Sequence, residues 1–165
     1  MIAVVMGAAG AGKTTVGRAL ADRLQSRFVD ADDLHPSSNV AKMARGESLD
    51  DADRAPWLAQ IHELLLKAAE TKGDLVLACS ALREQYRLEL ARGVPGLRWV
   101  FLQAPRTLLH SRLSTRQRHF AGPALLDAQL AVLEPPRDAI VADASKPVAT
   151  LVEEIARALT TAAES

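Results

Sequence analysis

The chain has 165 residues, of which 48% are hydrophobic, and this is enough apolar material for one compact domain spanning residues 1–165. Twenty basic residues balance twenty acidic ones, which excludes the long-range attraction to nucleic acid or to membranes that a strongly basic chain would have. The single cysteine, Cys79, cannot form an internal disulfide, and there is neither a signal-peptide pattern nor an apolar run of the roughly 18 to 20 residues that span a bilayer. We therefore expect a cytoplasmic protein that binds neither nucleic acid nor membrane.

Short apolar runs alternate with longer segments of helical period, and this pattern predicts an α/β fold with a parallel sheet covered by helices on both faces. The predicted strands are Ile2 to Met6, Arg27 to Asp30, Asp74 to Cys79, Leu97 to Leu102 and Ala139 to Asp143. Apolar residues recur at four-residue spacing in three predicted helices, at Val16, Leu20 and Leu24, at Ile61, Leu65 and Ala69, and at Leu151, Ile155 and Leu159.

Prolines mark the expected starts of helices. Pro56 suits the first turn of a helix that runs to about Thr71, and Pro105, Pro123 and Pro147 stand near three further starts. Two stretches that follow strands are not typical of core elements: residues 32–56 are polar and too long for an ordinary βα loop of about 2 to 6 residues, and residues 112–123 are rich in Arg. Because ligands bind beyond the carboxyl ends of such strands, we interpret these stretches as a substrate-binding insertion and a lid.

Residues 7–14 read Gly-Ala-Ala-Gly-Ala-Gly-Lys-Thr and match the P-loop spacing G-x-x-x-x-G-K-[ST], between a predicted strand and a predicted helix. Small residues let successive backbone N–H groups turn toward phosphates, and the helix adds its positive N-terminal end. We predict ATP binding here, with Lys13 on the β- and γ-phosphates and the Thr14 hydroxyl on Mg²⁺. The other interpretation is a chance Gly/Ala-rich turn. The predicted nucleotide-binding residues are Gly7, Gly10, Ala11, Gly12, Lys13, Thr14 and Thr15.

Two carboxylates, Asp30 and Asp32, stand two residues apart where the second strand ends. In extended backbone both side chains project from the same side. The strand before Ser80 ends without an acidic residue, so we assign Asp30 to the Mg²⁺ shell and Asp32 to orienting, and deprotonating, an attacking hydroxyl. The alternative is that these acids only cap the following turn.

These residues belong to longer motifs: Asp30-Ala31-Asp32-Asp33-Leu34-His35-Pro36, then Asp53-Arg54 with Pro56-Trp57-Leu58, Cys79-Ser80-Ala81-Leu82 with Tyr86-Arg87, and Leu133-Glu134-Pro135. Together they resemble the signature of the bacterial gluconate kinases over nearly the whole chain. The run from Asp30 to Leu58 is more specific than the P-loop, since the similar shikimate and nucleoside-monophosphate kinases share only the latter. This chain departs from the family pattern at Ala31, Glu84 and Arg118.

The resemblance implies a three-layer P-loop kinase fold with about five parallel strands. It also implies transfer of the γ-phosphate of ATP to the 6-hydroxyl of D-gluconate, giving 6-phospho-D-gluconate, by a homodimer. On charge grounds an anionic sugar acid fits, because Arg forks hold carboxylates well. Any one of the basic residues that could hold the substrate carboxylate could equally be part of the solvated surface. The expected substrate-binding residues are Asp32, His35, Lys42, Arg54, Arg87 and His119.

In the lid, Arg112 and Arg116 are four residues apart and share one face of a helix. Two guanidinium groups closing over the γ-phosphate would neutralise charge on the transferring group, so we count both with Lys13 and Asp32 as catalytic. The alternative is a solvated basic face. By resemblance, adenine would lie between the lid helix and residues 143–147.

Two other functions fit the same motifs. One is a P-loop kinase for shikimate or a different sugar acid, and the other is an ATP-binding regulatory protein that phosphorylates nothing small. A panel of acceptors in an ADP-release assay separates all three.

Overall fold

The computed structural model describes residues 1–115 and 123–161. Its elements in chain order are β1 (Ile2–Met6), α1 (Lys13–Leu24), β2 (Arg27–Asp30), a 3-10 turn (Ala31–Leu34), α2 (Ser37–Ala44), α3 (Asp51–Glu70), β3 (Leu75–Ala78), α4 (Glu84–Ala91), β4 (Leu97–Gln103), α5 (Arg106–Ser114), α6 (Pro123–Val132), β5 (Ala139–Asp143) and α7 (Val148–Thr161). Within these two ranges, none of the helices combines the length and the hydropathy required to cross a membrane.

The five strands form one parallel sheet in the order β2-β3-β1-β4-β5. β1 lies at the centre, where Val4 is paired with Leu77 on one side and with Trp99 on the other. All five residues of β1 are buried, as expected for a central strand that is covered on both faces. The carboxyl ends of β1, β2 and β3 therefore open on the same edge of the sheet.

Two hydrophobic cores lie on the two faces of this sheet. Along β1 the side chains alternate, so that Ala3 and Val5 join the core beneath α1, α5, α6 and α7, whereas Val4 and Met6 join the core beneath α3 and α4. The apolar stripes predicted for α1, α3 and α7 face these cores. The predicted three-layer α/β/α fold is confirmed.

One helix start was predicted wrongly. α3 begins at Asp51, so Pro56 lies inside the helix and not in its first turn. The start is fixed instead by a capping box, in which Asp50 accepts from the backbone N–H of Asp53 at 2.7 Å and Asp53 accepts from the backbone N–H of Asp50 at 2.9 Å. This reciprocal pair supplies the polar partners that the first turn needs, and the helix continues through the proline.

Smaller differences concern the edges of elements. β3 is one residue shorter at each end than predicted, and β4 runs one residue further, to Gln103. The polar insertion at residues 32–56 contains its own helix, α2, and its predicted end lies within α3. The segment between β2 and α3 is thus a folded part of the molecule that lies beside the carboxyl end of β2.

Candidate active site

The loop between β1 and α1, residues 7–14, forms the phosphate cradle. Its three glycines have positive φ angles of 150° at Gly7, 83° at Gly10 and 92° at Gly12. A Cβ atom on Gly7 would lie 2.8 Å from the carbonyl oxygen of Leu102, and one on Gly10 would lie 2.9 Å from that of Leu109, so both positions exclude larger residues. Gly12 is the N-cap of α1, which directs the positive end of that helix into the loop.

Thr14 and Asp30 meet at the edge of this cradle. The Thr14 hydroxyl donates to Oδ2 of Asp30 at 2.6 Å, while Oδ1 of Asp30 accepts from the backbone N–H of Asp32 at 3.0 Å. Asp30 therefore caps the turn and reaches the cradle with the same carboxylate, so its two proposed roles are compatible. Lys13, which precedes Thr14 in the cradle, donates from Nζ to the carbonyl oxygen of Ala8 at 3.1 Å.

A hydroxyl beside a carboxylate is a donor set that suits Mg²⁺. This ion usually takes one or two protein ligands and completes its shell with water and phosphate oxygens. Over residues 1–115 and 123–161, no group of three or more His, Cys, Asp or Glu side chains is arranged to hold a metal ion alone. The site thus fits an ion that is shared with a nucleotide.

Asp32 follows Asp30 on the 3-10 turn and remains exposed. The pKa of its carboxyl lies above the usual range because the surrounding protein desolvates it, because Asp30 lies nearby and because Asp33 adds to the effect, while Lys13 opposes the rise. Solvent reaches the group, so screening moderates these effects. The charges of both Asp30 and Lys13 thus act on the Asp32 carboxyl.

Cys79 lies deeper on the same side of the sheet. It is 2% exposed, and burial raises the pKa of its thiol to about 12. A thiol that stays protonated is no nucleophile, so Cys79 contributes packing to the core and not chemistry to the site.

The acceptor wall comprises the 3-10 turn, α2 and the first turns of α3, residues 31–58. Trp57 donates from Nε1 to the carbonyl oxygen of Ala31 at 2.7 Å, which ties α3 to the residue between the two acids. His35 stacks on Trp57, with ring centroids 4.4 Å apart and planes 8° from parallel. The pKa of His35 is lowered, first by burial and second by the nearby charge of Arg54.

The basic residues expected around the acceptor have different partners. Arg54 lies 3.5 Å from the hydroxyl oxygen of Tyr86 and 3.8 Å from Oδ1 of Asp51. Lys42 donates to Oδ2 of Asp53 at 2.6 Å, closing α2 onto α3. The structure thus places the charge of Arg54 within electrostatic reach of His35 and engages Lys42 with a carboxylate.

Arg87 is one of the most deeply buried charged side chains, with 6% exposure. Its guanidinium donates to the carbonyl oxygens of Ala81 at 2.8 Å and Leu82 at 3.1 Å. Ala81 has a positive φ of 43°, a conformation that a residue with a side chain holds only when its surroundings impose it. Arg87 therefore fixes the loop that follows β3.

Arg112 on α5 links two loops near the cradle. It donates to the carbonyl oxygen of Gly10 at 3.4 Å and to that of Ala144, after β5, at 2.7 Å. Arg116, Arg118 and His119, together with most of the predicted lid, lie outside the described residues.

Sequence reasoning missed the contacts that two residues make at this site. Oε1 of Gln129 on α6 accepts from the backbone N–H of Ala9 in the cradle at 2.7 Å. The side-chain Oε2 of Glu134 accepts from the backbone N–H of Glu84 at 2.5 Å, and the backbone N–H of Glu134 donates to the carbonyl oxygen of Leu82 at 2.9 Å. Glu134 belongs to a motif that we singled out, but no local pattern marks Gln129, whose partner is 120 residues away.

The fold and the site define a class. A parallel sheet with a P-loop after its central strand, a Thr–Asp pair at the end of β2 and a folded acceptor wall are the parts of a P-loop kinase, and such a kinase binds ATP in its cradle.

Comparisons with known proteins narrow this class. A family model described as "AAA domain" matches residues 2–136. The chain is 45% identical to a gluconokinase of Gluconobacter oxydans over 82% of this chain and 76% of the relative, and 36% identical to the thermoresistant gluconokinase of Escherichia coli over 92% and 89%. A crystal structure of a gluconokinase from Sinorhizobium meliloti superposes with a TM-score of 0.88 at 40% identity, covering 99% of this chain and 93% of the other. The chain belongs to the gluconokinase family, and the resemblance seen in its motifs is confirmed.

Proposed function

We propose that this protein transfers the γ-phosphate of ATP to the 6-hydroxyl of D-gluconate, giving 6-phospho-D-gluconate and ADP. The observation that carries the proposal is the hydrogen bond of 2.6 Å between Thr14 and Asp30, one residue before the turn that carries Asp32. It joins the phosphate cradle to the acceptor wall at one point. Phosphoryl transfer needs the donor and the attacking hydroxyl to be held in line at such a junction.

The cradle binds the nucleotide. Backbone N–H groups between Gly7 and Thr15, with Ala11 near the middle, surround the phosphates, and Lys13 neutralises the charge that develops on the transferring group. Thr14 and Asp30 are the residues that would hold Mg²⁺, and a bound ion would supply positive charge that offsets the charge of the phosphates.

Asp32 acts on the acceptor. Its carboxylate accepts a hydrogen bond from the 6-hydroxyl, aligns the oxygen with the γ-phosphorus and takes the proton as the new P–O bond forms. A raised pKa makes this carboxylate a better proton acceptor than an ordinary aspartate. Asp30 thus serves the metal ion, and Asp32 serves the acceptor hydroxyl.

Gluconate is a polyhydroxylated carboxylate, and the proposed contacts match it. Arg54 binds its carboxylate, and His35 and His119 bind its oxygens. Lys42 and Arg87 serve the same site through the contacts that hold the wall and the loop after β3 in place.

Arg112 and Arg116 close over the γ-phosphate and exclude water, a competing acceptor. The contact of Arg112 with Gly10 supports its place at the cradle.

The test is an ADP-release assay with a panel of acceptors: D-gluconate, other aldonates, shikimate and no acceptor. We expect ADP release that depends on gluconate, with equimolar 6-phosphogluconate detected by mass spectrometry. Faster turnover with shikimate or another sugar acid would replace gluconate as the acceptor. Nucleotide binding without stimulation by any acceptor would favour a regulatory ATP-binding protein.

We also propose that the chain, of 17.7 kDa, folds as one domain and works as a cytoplasmic homodimer. Light scattering of the purified protein measures the mass of the assembly, and a single cooperative unfolding transition would support one domain.

A further inference from the structure

Asn39 on α2 is a buried polar residue, with 3% exposure, and neither its role nor its partners follow from the proposed reaction. Its Nδ2 atom lies 2.8 Å from the backbone carbonyl oxygen of Asp53 and 3.3 Å from Nδ1 of His35. The same amide group therefore joins the start of α3 to the imidazole of the acceptor wall.

The contact with Asp53 determines which way round the amide of Asn39 lies. A carbonyl oxygen can only accept, so the atom that faces it must be the amide nitrogen, which donates. The second hydrogen of that nitrogen is then directed at Nδ1 of His35, which must accept. In a neutral imidazole one nitrogen accepts and the other carries the proton.

We propose that Asn39 is a positioning residue that fixes His35 as the neutral Nε2–H tautomer, so that His35 donates a hydrogen bond to an oxygen of the acceptor and does not act as a base. The part of this inference that concerns the acceptor rests on the proposed function, whereas the tautomer is a property of the free protein.

The surroundings of the ring support this assignment. Trp57 holds the imidazole by parallel stacking and is itself bonded to Ala31, between Asp30 and Asp32. A protonated Nδ1 would face an N–H donor, and Arg54 adds a positive charge nearby. Both effects disfavour the imidazolium ion, as does partial burial. A half-buried donor held in one plane suits hydroxyl and carboxylate oxygens, and an aldonate presents both.

The tautomer can be measured without substrate, by long-range ¹H–¹⁵N correlation spectra of the histidine rings at about pH 8, well above the ordinary pKa of histidine. His62 provides a reference in the same spectrum, because its Nε2 lies 2.7 Å from the carbonyl oxygen of Arg92 and must donate. Variants His35→Gln and His62→Gln assign the two signals. We expect both rings as Nε2–H, and a His35 ring with its proton on Nδ1 would overturn the assignment.

The positioning role is tested with Asn39→Ala, and Val141→Ala, an exposed residue on β5 outside the acceptor wall, is the control. We expect Asn39→Ala to give a mixture of His35 tautomers and a raised KM for gluconate at unchanged KM for ATP, and Val141→Ala to change neither. A single Nε2–H form and a normal gluconate KM in Asn39→Ala would contradict the role. Should that variant fail to fold, the wild-type spectrum still decides the tautomer.

Substitution of His35 itself separates a donor from a base. His35→Phe keeps a ring that can stack on Trp57 but loses the N–H, and we expect the gluconate KM to rise about 10- to 100-fold, the range for losing a hydrogen bond to a charged or strongly polar group. His35→Gln places an amide N–H near the same point and should recover most of that loss. A glutamine variant no better than the phenylalanine variant would overturn the donor role. If wild-type protein does not phosphorylate gluconate, the proposed function fails while the spectrum still reports the tautomer.

Discussion

The phosphate cradle and the acceptor wall meet at the end of β2, yet they are built by different means. The cradle is made of backbone: three glycines with positive φ turn the loop, and the N-terminus of α1 completes it. The wall is made of side chains, and contacts such as Trp57 with Ala31 and Lys42 with Asp53 join residues that are 26 and 11 positions apart. Removing the charge of Lys13 therefore leaves the glycine turns and the N-terminus of α1 in place, whereas removing one partner of a wall contact removes a link between separate elements.

The largest effect is expected at the cradle. Lys13→Ala removes the cation that neutralises the transferring phosphate and should lower single-turnover transfer by about 10³- to 10⁵-fold, the range for an arginine finger that stabilises the same charge, with the circular dichroism spectrum unchanged. Lys67→Ala, an exposed lysine on α3, is the matched control and should leave both unchanged. Near-normal turnover of Lys13→Ala would break the assignment of the cradle.

The next effect lies at the junction of the two regions. Asp32→Asn keeps size and hydrogen bonding but removes the proton acceptor, so single-turnover transfer should fall by about 10² to 10⁴, the range for loss of a general base, while Mg·ATP still binds. Asp30→Asn should instead weaken the dependence on Mg²⁺. Calorimetry with Mg·ATP on both variants separates metal binding by Asp30 from proton acceptance by Asp32. An equal loss of Mg·ATP binding in the two variants would show that the two carboxylates do not have these separate roles.

The contrast between the two regions also explains what the sequence could predict. The cradle follows from local spacing, because its geometry depends on adjacent backbone groups, and the strands follow from short apolar runs. The partners of Lys42 and Arg87 did not follow, since a basic residue in a sequence does not say whether a carboxylate or a carbonyl will meet it after folding. The position of Pro56 inside α3 had a different cause: the local capping box of Asp50 and Asp53 outweighed the preference of proline for a first turn.

A smaller effect, on the free energy of unfolding, is expected for a substitution in the acceptor wall. Trp57→Phe keeps an aromatic ring for His35 to stack on but removes the Nε1 donor and leaves the carbonyl of Ala31 without this partner. We expect a loss of about 1 to 3 kcal/mol in the free energy of unfolding, the usual cost of an unsatisfied buried polar group, with ATP affinity unchanged. Trp99→Phe on β4, at the margin of the same core, is the control in urea denaturation. A weakened ATP affinity in Trp57→Phe would mean that the wall and the cradle are not separable.

The smallest effect concerns the pH dependence of stability at Asp32. Its pKa is raised in the folded protein by desolvation and by Asp30, so ionisation of this group opposes folding. The stability that the protonated form contributes is complete below the ordinary value of 3.8 and is lost as the pH rises through the folded pKa. Asp32→Asn, which resembles the protonated form at every pH, should therefore melt near the wild-type temperature at about pH 3 and slightly above it at neutral pH.

Glu153 supplies a control of opposite sign for the same experiment. Its pKa is lowered by a hydrogen bond from Arg23, so its ionised form favours folding, and that contribution is present above the ordinary value and lost as the pH falls through the folded pKa. Glu153→Gln should thus melt slightly below wild type at neutral pH, with the difference vanishing in acid. Thermal scans of the three proteins from about pH 3 to about pH 8 compare the signs directly. If Asp32→Asn lowered the neutral melting temperature as Glu153→Gln does, the ionised Asp32 would be a stabilising group. The proximity of Asp30 and Asp32 at the end of β2 would then not destabilise the folded protein.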